Sequence, residues 1–320
     1  MPWYFYVVTF IFSCFILAWL SSSLIKSLVA MAKYLHWREF IIAFFVMAFA
    51  VSLPNLFVDV GAALRGIPEL AFGDIIGGNL FDLTVVLAIS VFFSKKGLSA
   101  QSDMVQKSAI FTAFIGVLPL ILVWDNALGR IDGVILILSF FIYSWWLFSK
   151  QDRFKKDYSG AIENPIQGFK SFIGNLVKII ILLALLLVAS QAVVSSAQFF
   201  SEKLGISLAL VGILIVAIGN CFPEAYFSII SAKKEQNWLV LGDLMGSVII
   251  TSTLVLGIIA LISPFTILDF SPFLTARIFL VLAAILSLVF IRSGNRITKG
   301  EGLFLLFIYV TFLMVEILIK

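Results

Sequence analysis

Charge is what this chain has least of. Only 12% of its 320 residues are Asp, Glu, Lys or Arg, while 62% are hydrophobic. A water-soluble protein of this length could not cover so much apolar surface. Histidine occurs once, as His36 in a loop, and carries no functional reading. Cysteine occurs twice, as Cys14 and Cys221, both inside apolar runs. Two such thiols read as packing residues rather than as a disulfide or a metal pair. No glycine loop with a phosphate-binding lysine is present, so a nucleotide and an ATP-driven pump are not expected. The net charge of +4 does not suggest nucleic acid, because the basic residues gather at the ends of apolar runs. No apolar run shows the strict alternation of a membrane strand, which argues against a barrel. The N-terminus lacks the basic start and small-residue cleavage site of a signal peptide, so the first run is expected to remain as a helix.

What is present is a series of apolar runs, each about 20 residues, the length a helix needs to cross a bilayer. Ten are read, over 4–25, 39–64, 69–94, 105–124, 131–149, 171–198, 206–232, 238–262, 272–291 and 302–319. The fold class is therefore an all-α membrane protein of ten transmembrane helices. One set of alternate loops, from Lys26 to Lys299, holds 16 basic residues; the other, from Arg65 to Lys320, holds 5. Positive loops stay in the cytoplasm, which puts both termini outside and makes the polar stretch 150–170 a cytoplasmic linker. Trp3, Trp37, Trp124, Trp145, Trp146 and Trp238 fall near run ends, where interfacial aromatics belong.

The chain is written twice. Shifted by 169 residues, "AFAVSLPNLFVD" (48–59) falls on "AIGNCFPEAYFS" (217–228) without a gap. The match continues from "FGDIIGGNLFDLTVVLA" (72–88) to "LGDLMGSVIITSTLVLG" (241–257). Each half holds five runs, an odd number, so the second half must enter the membrane from the opposite side. The expected organisation is a five-helix repeat over 1–149 with its motif at 48–88, and an inverted one over 171–320 with its motif at 217–257. Inverted repeats are a device of secondary transporters.

The repeats also hold the intramembrane polar residues. Pro54 and Pro223 fall at matching depth, and a proline frees a backbone carbonyl within a helix. Glu224 is costly in lipid, by about 2.5–3.5 kcal/mol or more, and becomes tolerable beside a bound cation. Free carbonyls, a carboxylate and hydroxyls at mid-depth are what a hard cation needs to replace its water. The plainer alternative for Glu224 is a hydrogen bond to a neighbouring helix. The motif glycines let helices approach closely, and are expected to bring the third helix onto the second.

"GNCFPE" followed by "LGDLMGS" resembles the second alpha-repeat of the calcium/cation antiporter superfamily, which includes the sodium/calcium exchangers. "AVSLPN" and "FGDIIGGNLFD" resemble the first. The resemblance implies an ion site built by helices 2, 3, 7 and 8. By motif position its residues are Asn55, Glu224, Ser247, Asp82 and Thr251, with Gly78 where the first repeat has a serine. Ser52 joins them, and Val51 and Asn220 are implied through their backbone carbonyls. Asn55 replaces the first glutamate, which leaves Asp82 and Glu224 as the matched carboxylates. Asp59 is an added candidate, one helical turn beyond Asn55 on the same face; otherwise it is a water-facing residue near the outer mouth. Asp74 and Asp243 replace the motif's asparagine and read as helix caps.

The resemblance implies a secondary antiporter exchanging calcium for sodium or protons by alternating access, with no cofactor and with cations as its substrates. Its other partner is membrane lipid, its location the cell membrane, and its working unit a monomer. It is not expected to be an enzyme. A monovalent cation/proton antiporter is the alternative, since the carboxylates are few. An intramembrane aspartyl protease using Asp74 and Asp243 is a remote one, because "AFGD" and "VLGD" lack the G-x-G-D that such a site needs. A channel would show flux without a counter-ion. Two carboxylates balance one divalent ion, so the exchange should be close to electroneutral provided Asp59 stays out of the site.

Overall fold

A computed structural model describes residues 3–34, 47–149, 165–267 and 271–318. Its helices follow the apolar runs. In the first half, α1 spans Trp3–Tyr34, α2 Met47–Leu64, α3 Pro68–Phe93, α4 Asp103–Asp125 and α5 Arg130–Ser149. In the second, α6 spans Pro165–Leu204, α7 Leu208–Lys233, α8 Asn237–Ile262, α9 Ser271–Ser293 and α10 Lys299–Leu318. Among the described residues, eight helices, α1 and α3 to α9, are long and apolar enough to cross a membrane. α2 is a shorter apolar helix, and the expected residues 39–46 of its run lie outside the described residues. His36 and Trp37 lie outside them too, as does most of the expected linker. α6 starts at Pro165, inside that linker, where proline's fixed φ suits a first helical turn.

Burial sorts the helices into two layers. In α3 83% of the spanning window is buried, against 22% in α6, so α3 is central and α6 peripheral. α7 and α8 are mostly buried as well, while Phe141, Trp145, Val188 and Phe307 point outward from the outer helices. Large outward apolar side chains of this kind suit a lipid surround. Trp3, Trp124 and Trp145 are exposed, in keeping with the interfacial reading. α1 and α6 lie against one another, with Tyr6 stacked on Phe199 at 3.9 Å and Phe10 edge-on to Phe200 at 5.6 Å.

Glycines set the central crossing, but not where expected. A Cβ on Gly73 or Gly77 of α3 would overlap the backbone of Ala209 or Ile213, and one on Gly212 would overlap that of Leu70. These glycines bring α3 onto α7 rather than onto α2. Two short strand pairs add a feature too brief to read from alternation. β1 (Leu98–Ser99) pairs antiparallel with β4 (Arg296–Ile297), and β2 (Ala127–Leu128) with β3 (Phe265–Thr266). Each pair ties a loop of the first half of the chain to a loop of the second.

Candidate cation site

α2 and α7 carry matching prolines but respond to them differently. α2 runs unbroken through Pro54, and the carbonyl that proline leaves without a backbone donor is that of Ala50, four residues back. Ser21 of α1 donates its hydroxyl to that carbonyl at 3.2 Å, so the freed oxygen is satisfied by a neighbouring helix. α7 is divided into Leu208–Val211, a π-helical turn over Gly212–Val216, Ala217–Asn220 and Phe222–Lys233. The break is at Cys221, whose ψ of 1° leaves the helical range. Glu224 therefore falls in the first turn of a new helical segment, where free amides and the helix dipole favour a negative side chain.

α3 and α8 share another irregularity. α3 turns π-helical over Asp82–Val86 and α8 over Ile250–Val255, positions that coincide under the 169-residue shift. In each, a threonine donates to the carbonyl four residues back, Thr84 to Leu80 and Thr253 to Ile249. π-bulges widen a helix by one residue per turn and recur at functional sites. Here they begin at or one residue before Asp82 and Thr251, which aims those side chains at the centre of the bundle.

Hydrogen bonds join four helices, α2, α3, α7 and α8, inside the bundle. Asn55 Nδ2 donates to Glu224 Oε1 at 3.4 Å, and Ser247 Oγ donates to the same oxygen at 3.4 Å. Ser52 Oγ lies 3.3 Å from Ser247 Oγ and donates to the Ala48 carbonyl at 2.9 Å. On the α3 side, Thr251 Oγ1 donates to Asn79 Oδ1 at 2.8 Å, and Asn79 Nδ2 donates to Ser252 Oγ at 2.7 Å. All seven of these residues are buried. A small cavity of about 10 Å3, the size of one water, is lined by Asn55, Asp59, Asp74, Ile75, Gly78, Asn79, Asp82 and Thr251.

Several buried oxygens around this cavity lack a hydrogen-bond donor: Asn55 Oδ1, both of Asp59, Asp82 Oδ1, Asn220 Oδ1 and Glu224 Oε2. Buried acceptors are almost always satisfied by a donor or by something else positively charged. Among the described residues no three of His, Cys, Asp and Glu form a tight resident-metal cluster. A cation held here would draw on amide and hydroxyl oxygens as well as carboxylates, a mixed set that suits a hard ion in transit.

A family model described as "Sodium/calcium exchanger protein" matches residues 5–149 and 175–318. The chain belongs to the sodium/calcium exchanger family. It is 23% identical over 330 residues to the sodium/calcium exchanger MaX1 of Methanosarcina acetivorans, covering 92% of this chain and 93% of that protein. It is 30% identical over 221 residues to an uncharacterised membrane protein of Methanocaldococcus jannaschii, covering 68% of each. A solved structure of the sodium–calcium exchanger NCX_Mj soaked with Na+ and Sr2+ shares the fold, with a TM-score of 0.68 at 23% identity over 96% of both chains. The protein is thus a multi-pass membrane transporter, a secondary antiporter of the exchanger type, and not an enzyme. The aspartyl-protease reading falls with that assignment.

Within this exchanger-family chain, Asn55, Glu224, Ser247 and Ser52 form one connected group, and Asn55, Asp59, Asp82 and Thr251 line one cavity. Asp59 is 1% exposed, so it is not the water-facing residue its distance from the motif allowed. Val51 is wholly buried and brings no side-chain polar group. The side chain of Asn220 holds Asp74: Nδ2 donates to Asp74 Oδ2 at 2.5 Å. Asp74 and Asp243 are not caps. α3 begins at Pro68 and α8 at Asn237, so both aspartates are six residues inside their helices, buried at 3% and 0% exposure. Under the repeat shift Asn220 corresponds to Val51, so Asp243 lacks the amide that Asp74 has, and both its oxygens are without a donor. Asn79 is the residue the sequence reading missed. It lies in the motif, but its repeat mate is Val248, so comparing the halves drew no attention to it.

Proposed function

We propose that this protein exchanges calcium for sodium or protons across the cell membrane, by alternating access around a mid-membrane site. The site takes Glu224, Asp82, Asn55, Ser247, Thr251, Ser52 and Asp59 as side-chain ligands, and Val51 and Asn220 through their backbone carbonyls. All ten helices span the membrane as two inverted five-helix repeats, 1–149 and 171–320, joined by a cytoplasmic linker, with both termini outside. A monomer suffices, because every proposed ligand comes from one chain.

The observation that carries this reading is the Asn55–Glu224–Ser247–Ser52 chain beside an ion-sized cavity lined by Asp82 and Thr251. A carboxylate with one oxygen held by two donors and the other free is ready to bind a cation without rearranging. Dehydration of the ion is offset by oxygens already in place, and loss of the ion leaves Glu224 partly satisfied by Asn55 and Ser247. That balance lets a transporter bind and release the ion.

The ion pair is tested by reconstituting the protein in liposomes and following calcium entry against imposed sodium and proton gradients. Calcium uptake driven by outward sodium, or by a proton gradient, supports the reading. Sodium/proton exchange with no calcium movement would instead establish the monovalent antiporter, which Asn55 in place of a glutamate favours. Calcium leakage without any counter-ion would mark a channel.

A further inference from the structure

We propose that Lys95, Lys96, Lys233 and Lys234 form a binding site for the phosphate headgroup of one anionic phospholipid. Such a site lies outside the cation path and does not depend on which ions are exchanged. Lys95 and Lys96 lie in the turn after α3, Lys233 ends α7, and Lys234 opens the link to α8. The backbone amide of Lys95 donates to Glu235 Oε1 at 2.9 Å, which fastens the two loops together. Lys233 Nζ lies 4.7 Å from the centre of the Phe93 ring, so its side chain reaches from α7 to the end of α3. Each loop is also held internally. Ser94 Oγ donates to the Gly97 carbonyl at 2.8 Å, and Gly97, at a φ of 82°, packs so closely on the Ile297 carbonyl that a side chain has no room there. In the second loop the amide of Gln236 donates to the Ser231 carbonyl at 2.9 Å. The lysines are therefore presented from a fixed platform, which lowers the cost of ordering them around an anion.

All four lysines are exposed, and among the described residues none of them has an ion pair. Glu235 offsets at most one of the four charges. Asp103 is engaged by Lys107 at 2.7 Å, and Glu301 by Thr298 at 2.7 Å. Basic loops are common on a cytoplasmic face. Here two of them are joined, and their charge has no counter-ion in the protein. Phe92, Phe93 and Trp238 are exposed beside the lysines. Aromatic and basic residues together belong at the boundary of hydrocarbon and headgroups, where basic pockets between helices take anionic headgroups. A lipid phosphate lies at that depth, which favours it over a free anion from the water. α3, α7 and α8 also carry Asp82, Glu224 and Ser247, so the headgroup would tie together the ends of three helices that build the cation site.

The test is titration of the purified full-length protein in detergent with phosphatidylglycerol, with bound lipid counted by native mass spectrometry and monodisperse elution as the folding check. The wild type should bind one phosphatidylglycerol in preference to phosphatidylcholine. Lys95→Gln with Lys96→Gln, and Lys233→Gln with Lys234→Gln, should each weaken that binding at least about tenfold, since each lysine near a membrane surface contributes roughly fivefold. Arginine at the same four positions should keep it. Lys178→Gln with Lys203→Gln removes two exposed lysines of α6 and should leave it unchanged. Wild-type binding in either loop pair overturns the proposal. So does an equal loss in the α6 pair, which would mean attraction by diffuse charge. Displacement of the lipid by inorganic phosphate at equal concentration would assign the lysines to a soluble anion and overturn the lipid site.

Discussion

Asn55 and Glu224 occupy one position in two copies of a motif, and in the folded chain they touch. The amide of Asn55 donates to the carboxylate of Glu224 at 3.4 Å, which two ionised glutamates could not do without a shared proton or cation. The exchange of glutamate for asparagine thus has a structural consequence: it holds Glu224 in place and leaves Asn55 Oδ1 free to face an ion. Glu224→Gln removes the charge and keeps the shape, so the protein should fold while calcium flux falls at least about tenfold, or about 1.4 kcal/mol. Flux at the wild-type level would reject the site. Asn55→Glu should do the reverse to binding, raising calcium affinity and slowing release, read as a lower Kd with a lower turnover. Motif spacing in the sequence singled out Glu224, Asn55, Ser52 and Ser247, which hydrogen bonds join in the folded chain. It did not find Asn79, whose repeat mate is apolar. It misread Asp74, because a helix start is not sharply marked where every flanking residue is hydrophobic.

Helix irregularities decide where those residues point. Hydropathy located most described helices to within a few residues, since lipid demands long apolar runs, but α1 and α6 extend six to nine residues past the runs read for them. It carried no sign of the π-turns at Asp82–Val86 and Ile250–Val255, which depend on tertiary packing and on hydroxyls such as Thr84 and Thr253. The prolines were visible, but the sequence did not say that Ser21 would take up the carbonyl freed by Pro54. Ser21→Ala should therefore lower stability by about 0.6–2 kcal/mol, seen as a reduced unfolding temperature in detergent. The glycines offer a sharper contrast. Gly73→Val forces side-chain atoms onto the Ala209 backbone and should cost about 1–3 kcal/mol or more, with poor recovery of folded protein. A Cβ at Gly78 meets only Cys221 Sγ, at an ordinary 3.5 Å, so Gly78→Ala should leave thermal stability unchanged. Equal behaviour of the two variants would reject the close α3–α7 crossing.

At the scale of the whole molecule, the question is how much charge one cycle moves. The sequence alone suggested two ligating carboxylates and an exchange close to electroneutral, on the condition that Asp59 stays outside the site. Asp59 lines the cavity together with Asp74 and Asp82, with Glu224 beside it, so in the proposed site that condition fails. Four carboxylates in or beside one cavity can balance more monovalent ions than the two that offset one divalent ion. The strand pairs β1–β4 and β2–β3 tie the two halves at their loops. In the proposed inverted repeat, the outer helices can then rock about a site whose charges stay fixed, so net charge crosses with the ions and not with the protein. We expect sodium-driven calcium uptake in proteoliposomes to rise or fall with the sign of an imposed potassium-diffusion potential. Asp59→Asn, which removes one charge from the cavity, should reduce that voltage dependence while calcium is still transported. Wild-type uptake that ignores the imposed membrane voltage would return the count to two carboxylates and take Asp59 out of the transport cycle.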